Sequence, residues 1–200
     1  MQDQTPQDDL DLLLAEPPAW PKVVGILSIV FGSLAFFCNG LGMAAFPFQE
    51  KLMAAAAQAQ NVTPPPVMQA GPIMWAALLI AILVNVVLII AGIATLARSP
   101  LGRKLHLFYA LAGVIAVFFS TFVTMQAQAD LNERMKTYSE QNPDSPFATK
   151  QGGPQEIKQL VGAAAGIGIG LAWPIFCGFW FTLSKRGTSD MKGTGLEPAA

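Results

Sequence analysis

Few residues in this chain could do chemistry, and their spacing decides how far that chemistry goes. His106 is the only histidine, and it follows Arg103 and Lys104 with no second histidine, cysteine or carboxylate at ligand spacing. A lone imidazole beside two cations reads as an interfacial side chain, so no metal site is expected. Cys38 and Cys177 are the only cysteines. They fall at different depths of two separate apolar runs, about 24 Å and about 9 Å from the same membrane face at 1.5 Å per helical residue. That separation excludes a disulfide, which needs Cα atoms within roughly 7 Å. Asp130, Glu133 and Glu140 are interleaved with Arg134 and Lys136, the pattern of a solvated helix face. No metalloprotease or serine-hydrolase signature occurs, and no carboxylate pair lies within an apolar run. No catalytic residue, metal or cofactor is expected, and the chain reads as a non-enzyme.

The segment VGAAAGIGIGLAWP places Gly162, Gly166 and Gly170 four apart. A dinucleotide fingerprint would need a third glycine where Leu171 stands, and a strand before it. On a helix, the same spacing makes a slanting small-residue stripe through which membrane helices pack closely. Matching small residues lie elsewhere: Ser28 and Gly32, Ala77 and Ala81, then Ala112, Ala116 and Ser120. The stripe is expected to pack within its own chain, with a second copy as the alternative. Pro174 deprives the Gly170 carbonyl of its helical partner. Asn85, at about the same depth of roughly 18–19 Å, is expected to donate to that region. Its alternative is Ser33 or another neighbour. Asn39 is a further intramembrane polar group.

The elements that must position these residues follow from the charge pattern. Of 200 residues, 52% are hydrophobic and only 12% charged, about half the charged share of an ordinary globular domain. Uncharged gaps separate Lys22 from Glu50, Lys51 from Arg98, Lys104 from Asp130 and Lys158 from Lys185. Each holds an apolar run long enough for a bilayer core, which takes roughly 20 helical residues. The spans fall at 23–46, 73–97, 105–124 and 160–183, joined by outer loops 47–72 and 125–159. The predicted fold is all-α: an integral membrane four-helix bundle with a small helical extracytoplasmic cap. Five acids and no Lys or Arg among residues 1–21 argue against a cleaved signal peptide. Composition predicts disorder for this tail, its DDLDLLL segment being a candidate partner-docking turn, and flexibility for 185–200.

Lys22, Arg98, Arg103, Lys104, Lys185 and Arg186, with Lys192, gather on one side of this topology. The excess places both termini and the short turn in the cytoplasm, where the first six cations would also meet anionic lipid. Trp20, Trp75, Tyr109 and Trp180 fall at headgroup level, and Trp173 lies deep. In the first outer loop, Pro47 is expected to open a helix that Asn61 and Pro64–Pro66 close. The third helix is expected to continue to Gln141, with Leu131, Met135 and Tyr138 forming one apolar stripe. Gly153-Pro154 signals the start of the fourth helix.

The entry into the first span, PPAWPKVVGILSIVFGSLAFFCNGLG, resembles a recurrent opening in small uncharacterised four-span bacterial membrane proteins. The likeness runs from Pro17 to Gly42 and implies a bacterial plasma membrane, with no activity or site residue attached to it.

Ion-coupled transport leaves ionisable groups inside the membrane, and the spans have none beyond His106 at an edge. The sequence therefore points to a scaffold, assembly or sensing component working through helix and partner contacts. Its partners are membrane lipid and a protein partner or a second copy, with no role for nucleic acid. An oligomeric transporter or pore subunit is the alternative, with a lumen built from Asn39, Asn85, Ser120 and Thr124.

Overall fold

The computed structural model of the chain describes residues 19–148 and 154–183, with the side chains of the last helix described from residue 161 onward. Four helices run in alternating directions: α1 (Trp20–Ala59), α2 (Pro72–Leu96), α3 (Pro100–Gln141) and α4 (Pro154–Leu183). There is no strand among the described residues. Each helix is long and apolar enough to cross a membrane, and the chain is a multi-pass membrane protein. The acidic tail and the segment carrying Lys185 and Arg186 lie outside the described residues.

Local chemistry sets the boundaries. Pro72, Pro100 and Pro154 each occupy the first position of a helix, where the missing N–H costs nothing and φ is already helical. The turn from α2 to α3 is tighter than expected. Arg98 adopts a left-handed backbone (φ 54°), and the Ser99 hydroxyl accepts from Leu101 N at 3.3 Å. The helix therefore absorbs residues 100–104, which the sequence reading left in the turn. A second correction concerns Pro47, which opens no new helix. It lies inside α1, a single run of 40 residues and about 60 Å. Proline removes one intrahelical donor, and with no glycine or second proline beside it the helix continues to Ala59. There Asn61, at φ 53°, makes the left-handed exit that asparagine tolerates.

Consecutive helices pack side by side: α1 on α2, α2 on α3, α3 on α4. The α1–α2 seam is built on glycine. A Cβ on Gly25 would stand 2.9 Å from the Gly92 carbonyl oxygen, and one on Gly32 would stand 3.2 Å from that of Asn85. In the α3–α4 seam, Gly113 faces the Pro174 ring, Gly170 faces Val117, and Gly178 faces Ala110. Because lipid is as apolar as the side chains, such fits stabilise by van der Waals contact and not by removal from water. The seam between α1 and α4 is aromatic. Trp20 meets Trp180 at 5.8 Å and Phe31 meets Trp173 at 4.9 Å between ring centroids.

The core has two layers. At the end holding the α2–α3 turn, Val24, Leu88, Tyr109, Cys177 and Phe181 pack together, so all four helices contribute. At the cap end, Met74, Ala77 and Val123 form the centre with Phe46 beside them, and none of the described side chains of α4 joins them. Gly162 and Gly166 therefore stand apart: a Cβ on either would meet no atom within 4 Å. Of the stripe expected to pack within its own chain, Gly170 does so, and Gly162 and Gly166 meet no described neighbour. Among the described residues the glycines of α4 meet α3 only from Gly170 onward, so the first two glycines of the stripe precede the contact.

Beyond the apolar layers, α3 extends to Gln141 and ties down the loops that return to the membrane. Tyr138 is buried, and its hydroxyl donates to the Thr63 carbonyl at 2.7 Å. That hydroxyl has one proton, so at its 2.7 Å contact with Ser145 Oγ it accepts. Leu131 and Met135 are half-buried beside it on the expected stripe. Arg134 pairs with Asp130 at 3.5 Å on the solvated face.

Candidate functional site: the buried His106 cluster

Gly102, His106, Tyr109 and Gly113 fall on the buried face of α3, spaced as a 3.6-residue repeat requires. His106 therefore points into the bundle. It is 0% exposed, which overturns its reading as an interfacial side chain. The sequence places it near the end of a span, and the proximity of Arg103 and Lys104 suggested solvent. However, those two cations occupy other faces of the same turn.

The ring touches all four helices. Its Nε2 lies 2.9 Å from Ser28 Oγ of α1. Its Nδ1 lies 2.8 Å from the Gly102 carbonyl of α3 and 3.4 Å from Thr95 Oγ1 of α2. Its face stacks on Phe181 of α4, with centroids 4.6 Å apart and planes inclined by 29°. The partners assign the tautomer. A carbonyl only accepts, so Nδ1 carries the proton and Nε2 accepts from the Ser28 hydroxyl. Thr95 Oγ1 gives its proton to the Ala91 carbonyl at 2.8 Å, leaving a lone pair toward Nδ1–H. The neutral ring is thus fully satisfied, as a buried polar group must be. Ser28 and Thr95 are themselves 0% exposed.

A serine hydroxyl bonded to an imidazole whose far nitrogen is held by an acceptor is the arrangement that activates a nucleophile. Here it has no room to act. The hydroxyl, the ring and the threonine are all sealed from solvent, and Phe181 closes the fourth side. What the arrangement does in this state is lock four helices to one side chain. Among the described residues, no three His, Cys, Asp or Glu side chains come together to hold a metal.

The remaining candidates disperse. Ser28 joins the histidine, whereas Gly32 packs in the α1–α2 seam. Ala116 and Ala77 are buried, while Ala112, Ala81 and Ser120 are half-buried. Asn85 is 8% exposed, but no hydrogen bond joins its side chain to α4 among the described residues. Its backbone carbonyl faces Gly32 of α1, while Val117 of α3 covers Gly170. The proposed Asn85 bond is therefore corrected: equal depth did not make the second and fourth helices neighbours. Asn39 donates to the Ala35 carbonyl of its own helix at 2.9 Å. The Pro174 ring is buried against Gly113. Cys177 is buried and Cys38 exposed, both as free thiols.

Of the cations, Lys22 and Lys104 are exposed and Arg98 is half-buried. Arg103 turns inward, and its Nε donates to the Phe181 carbonyl at 3.2 Å. Sequence reasoning missed Thr95, Phe181 and Arg103 as members of this cluster. The one available signal was that Thr95 and His106 flank a short turn, close enough for their helices to bring them together.

No family model matches the chain, and no curated protein or solved structure proved similar to it. The functional reading consequently rests on the bundle itself.

Proposed function

We propose that the chain is a non-enzymatic component of a bacterial plasma membrane, a scaffold, assembly or sensing subunit with both termini in the cytoplasm. The observation that carries this reading is where the polar side chains spend their hydrogen bonds. Ser28, Thr95 and His106 bond one another and nearby carbonyls, and Asn39 bonds its own helix. A transport path needs such groups aligned toward water. Of the four that would have to line a lumen, Asn85 is buried, Asn39 and Ser120 are half-buried, and Thr124 is exposed. The cations Lys22, Arg98 and Lys104 at the turn end suit anionic headgroups, while the extended α1 and α3 offer partner contacts beyond the opposite face.

Three measurements test the proposal. Purification in mild detergent at native expression, with mass spectrometry and native mass, is expected to give the chain in a complex of fixed stoichiometry. Solute or ion flux through proteoliposomes holding the purified chain alone would replace this reading with the pore alternative. Orientation is tested by Ser99→Cys, which should react with an impermeant thiol reagent only from the cytoplasmic side.

A further inference from the structure

We infer that His106 is a proton-operated latch, and that protonating it releases α4 from the turn end of the bundle. The inference rests on the sensing arm of the function proposed above and names the signal as protons. The side chain of His106 is joined to all four helices, and each of its bonds suits the neutral ring. Adding a proton at Nε2 turns that nitrogen from acceptor to donor. The Ser28 hydroxyl, now donating to it, must rotate to accept.

Among the described residues the charge itself finds no counter-ion. From α1 and α2 the ring's hydrogen-bond partners are the hydroxyls of Ser28 and Thr95. The ionised groups nearest on those helices are Lys22 and Arg98, both cations. On α3 the neighbouring titratable groups are Arg103, Lys104 and Tyr109; on α4 the same buried face carries Cys177, one turn before Phe181. Every Asp and Glu among the described residues lies in the outer segments, at Glu50, Asp130, Glu133, Glu140, Asp144 and Glu156. An imidazolium in this place is a buried charge with no counter-ion among the described residues, and it is relieved by reaching water.

The bundle yields where it is thinnest. Helix α4 packs on α3 over its lower half and meets α1 through aromatic rings, and none of its described side chains shares in the cap-end core. Moving α4 outward unstacks Phe181 from the ring and uncovers Cys177, which is 0% exposed in the closed state.

The chain carries its own reporter. Cys38 is exposed and Cys177 buried, so the ratio of Cys177 to Cys38 labelling within one molecule cancels most of the pH dependence of the thiol reagent. In the purified full-length chain, with an affinity tag free of histidine, that ratio should rise about tenfold from pH 8 to pH 5, across the range in which histidine titrates. His106→Gln keeps an acceptor for Ser28 but does not titrate, and its ratio should stay flat. His106 is also the sole histidine, so selective isotope labelling of the wild-type chain reads its protonation directly. The two transitions should coincide. A ratio that does not change with pH, a rise that persists in His106→Gln, or a rise displaced from the histidine titration overturns the latch. Since no partner is present, such a failure leaves the scaffold reading untouched.

Discussion

Gly25 and Gly92 lie back to back: a Cβ on Gly92 would stand 2.8 Å from the Gly25 carbonyl oxygen, and one on Gly25 would stand 2.9 Å from that of Gly92. The contact is reciprocal and made of backbone, so neither helix can yield by turning a side chain. Gly92→Ala should therefore push α1 and α2 apart and destabilise the bundle by about 1–3 kcal/mol, the usual cost of overpacking. Gly25→Ala should do the same, with Leu96 displaced as well. Reversible unfolding in mixed micelles measures both.

Gly166 makes the opposite case. A Cβ there meets nothing within 4 Å, and glycine within a helix costs roughly 0.5–1 kcal/mol relative to alanine. Gly166→Ala should raise stability in the same assay by about that amount. A loss of stability would mean that another surface packs against this face.

These glycines show what the sequence made legible and what it did not. The four spans could be read because uncharged runs of that length have one physical use, and the ends of α3 and α4 could be read because Gln141 and Pro154 adjoin breakers. The partners of each helix were out of reach. Spacing places Gly162, Gly166 and Gly170 on one stripe, but only the line of approach of α3 decides that, among the described residues, Gly170 alone is covered. Likewise, depth puts Asn85 level with Gly170 without revealing that α3 stands between their helices. His106 shows the same limit at closer range. Its charged neighbours in sequence pointed to solvent, but it shares the buried face of α3 with Gly102, Tyr109 and Gly113, and that face decides its environment.

Ser28 and Thr95 contribute unequally to the histidine cluster. Ser28→Ala deletes the donor to Nε2 at 2.9 Å and leaves a buried acceptor unmet, a loss of about 1–3 kcal/mol. Thr95→Val should cost less, because its hydroxyl serves chiefly the Ala91 carbonyl of its own helix and the contact to Nδ1 is long, at 3.4 Å. Unfolding midpoints of the two variants should fall in that order below wild type. Equal losses would show that the 3.4 Å contact matters as much as the shorter one.

Tyr138 is the corresponding knot at the cap. One hydroxyl joins α3 to the Thr63 carbonyl in the first outer segment and to Ser145 in the second, each at 2.7 Å. Ser145 Oγ in turn accepts from Phe147 N at 3.3 Å, so a single oxygen orders two returning chains. Tyr138→Phe keeps the buried ring and removes only that oxygen, which should loosen the cap by about 1–2 kcal/mol. The effect should be local, because the cap and the His106 cluster share no side chain. Hydrogen exchange should quicken in residues 60–71 and 142–148 while the protection of α2 and of the inner halves of α1 and α3 stays as in wild type. Faster exchange throughout the spans would instead mean that the cap is required to hold the bundle together.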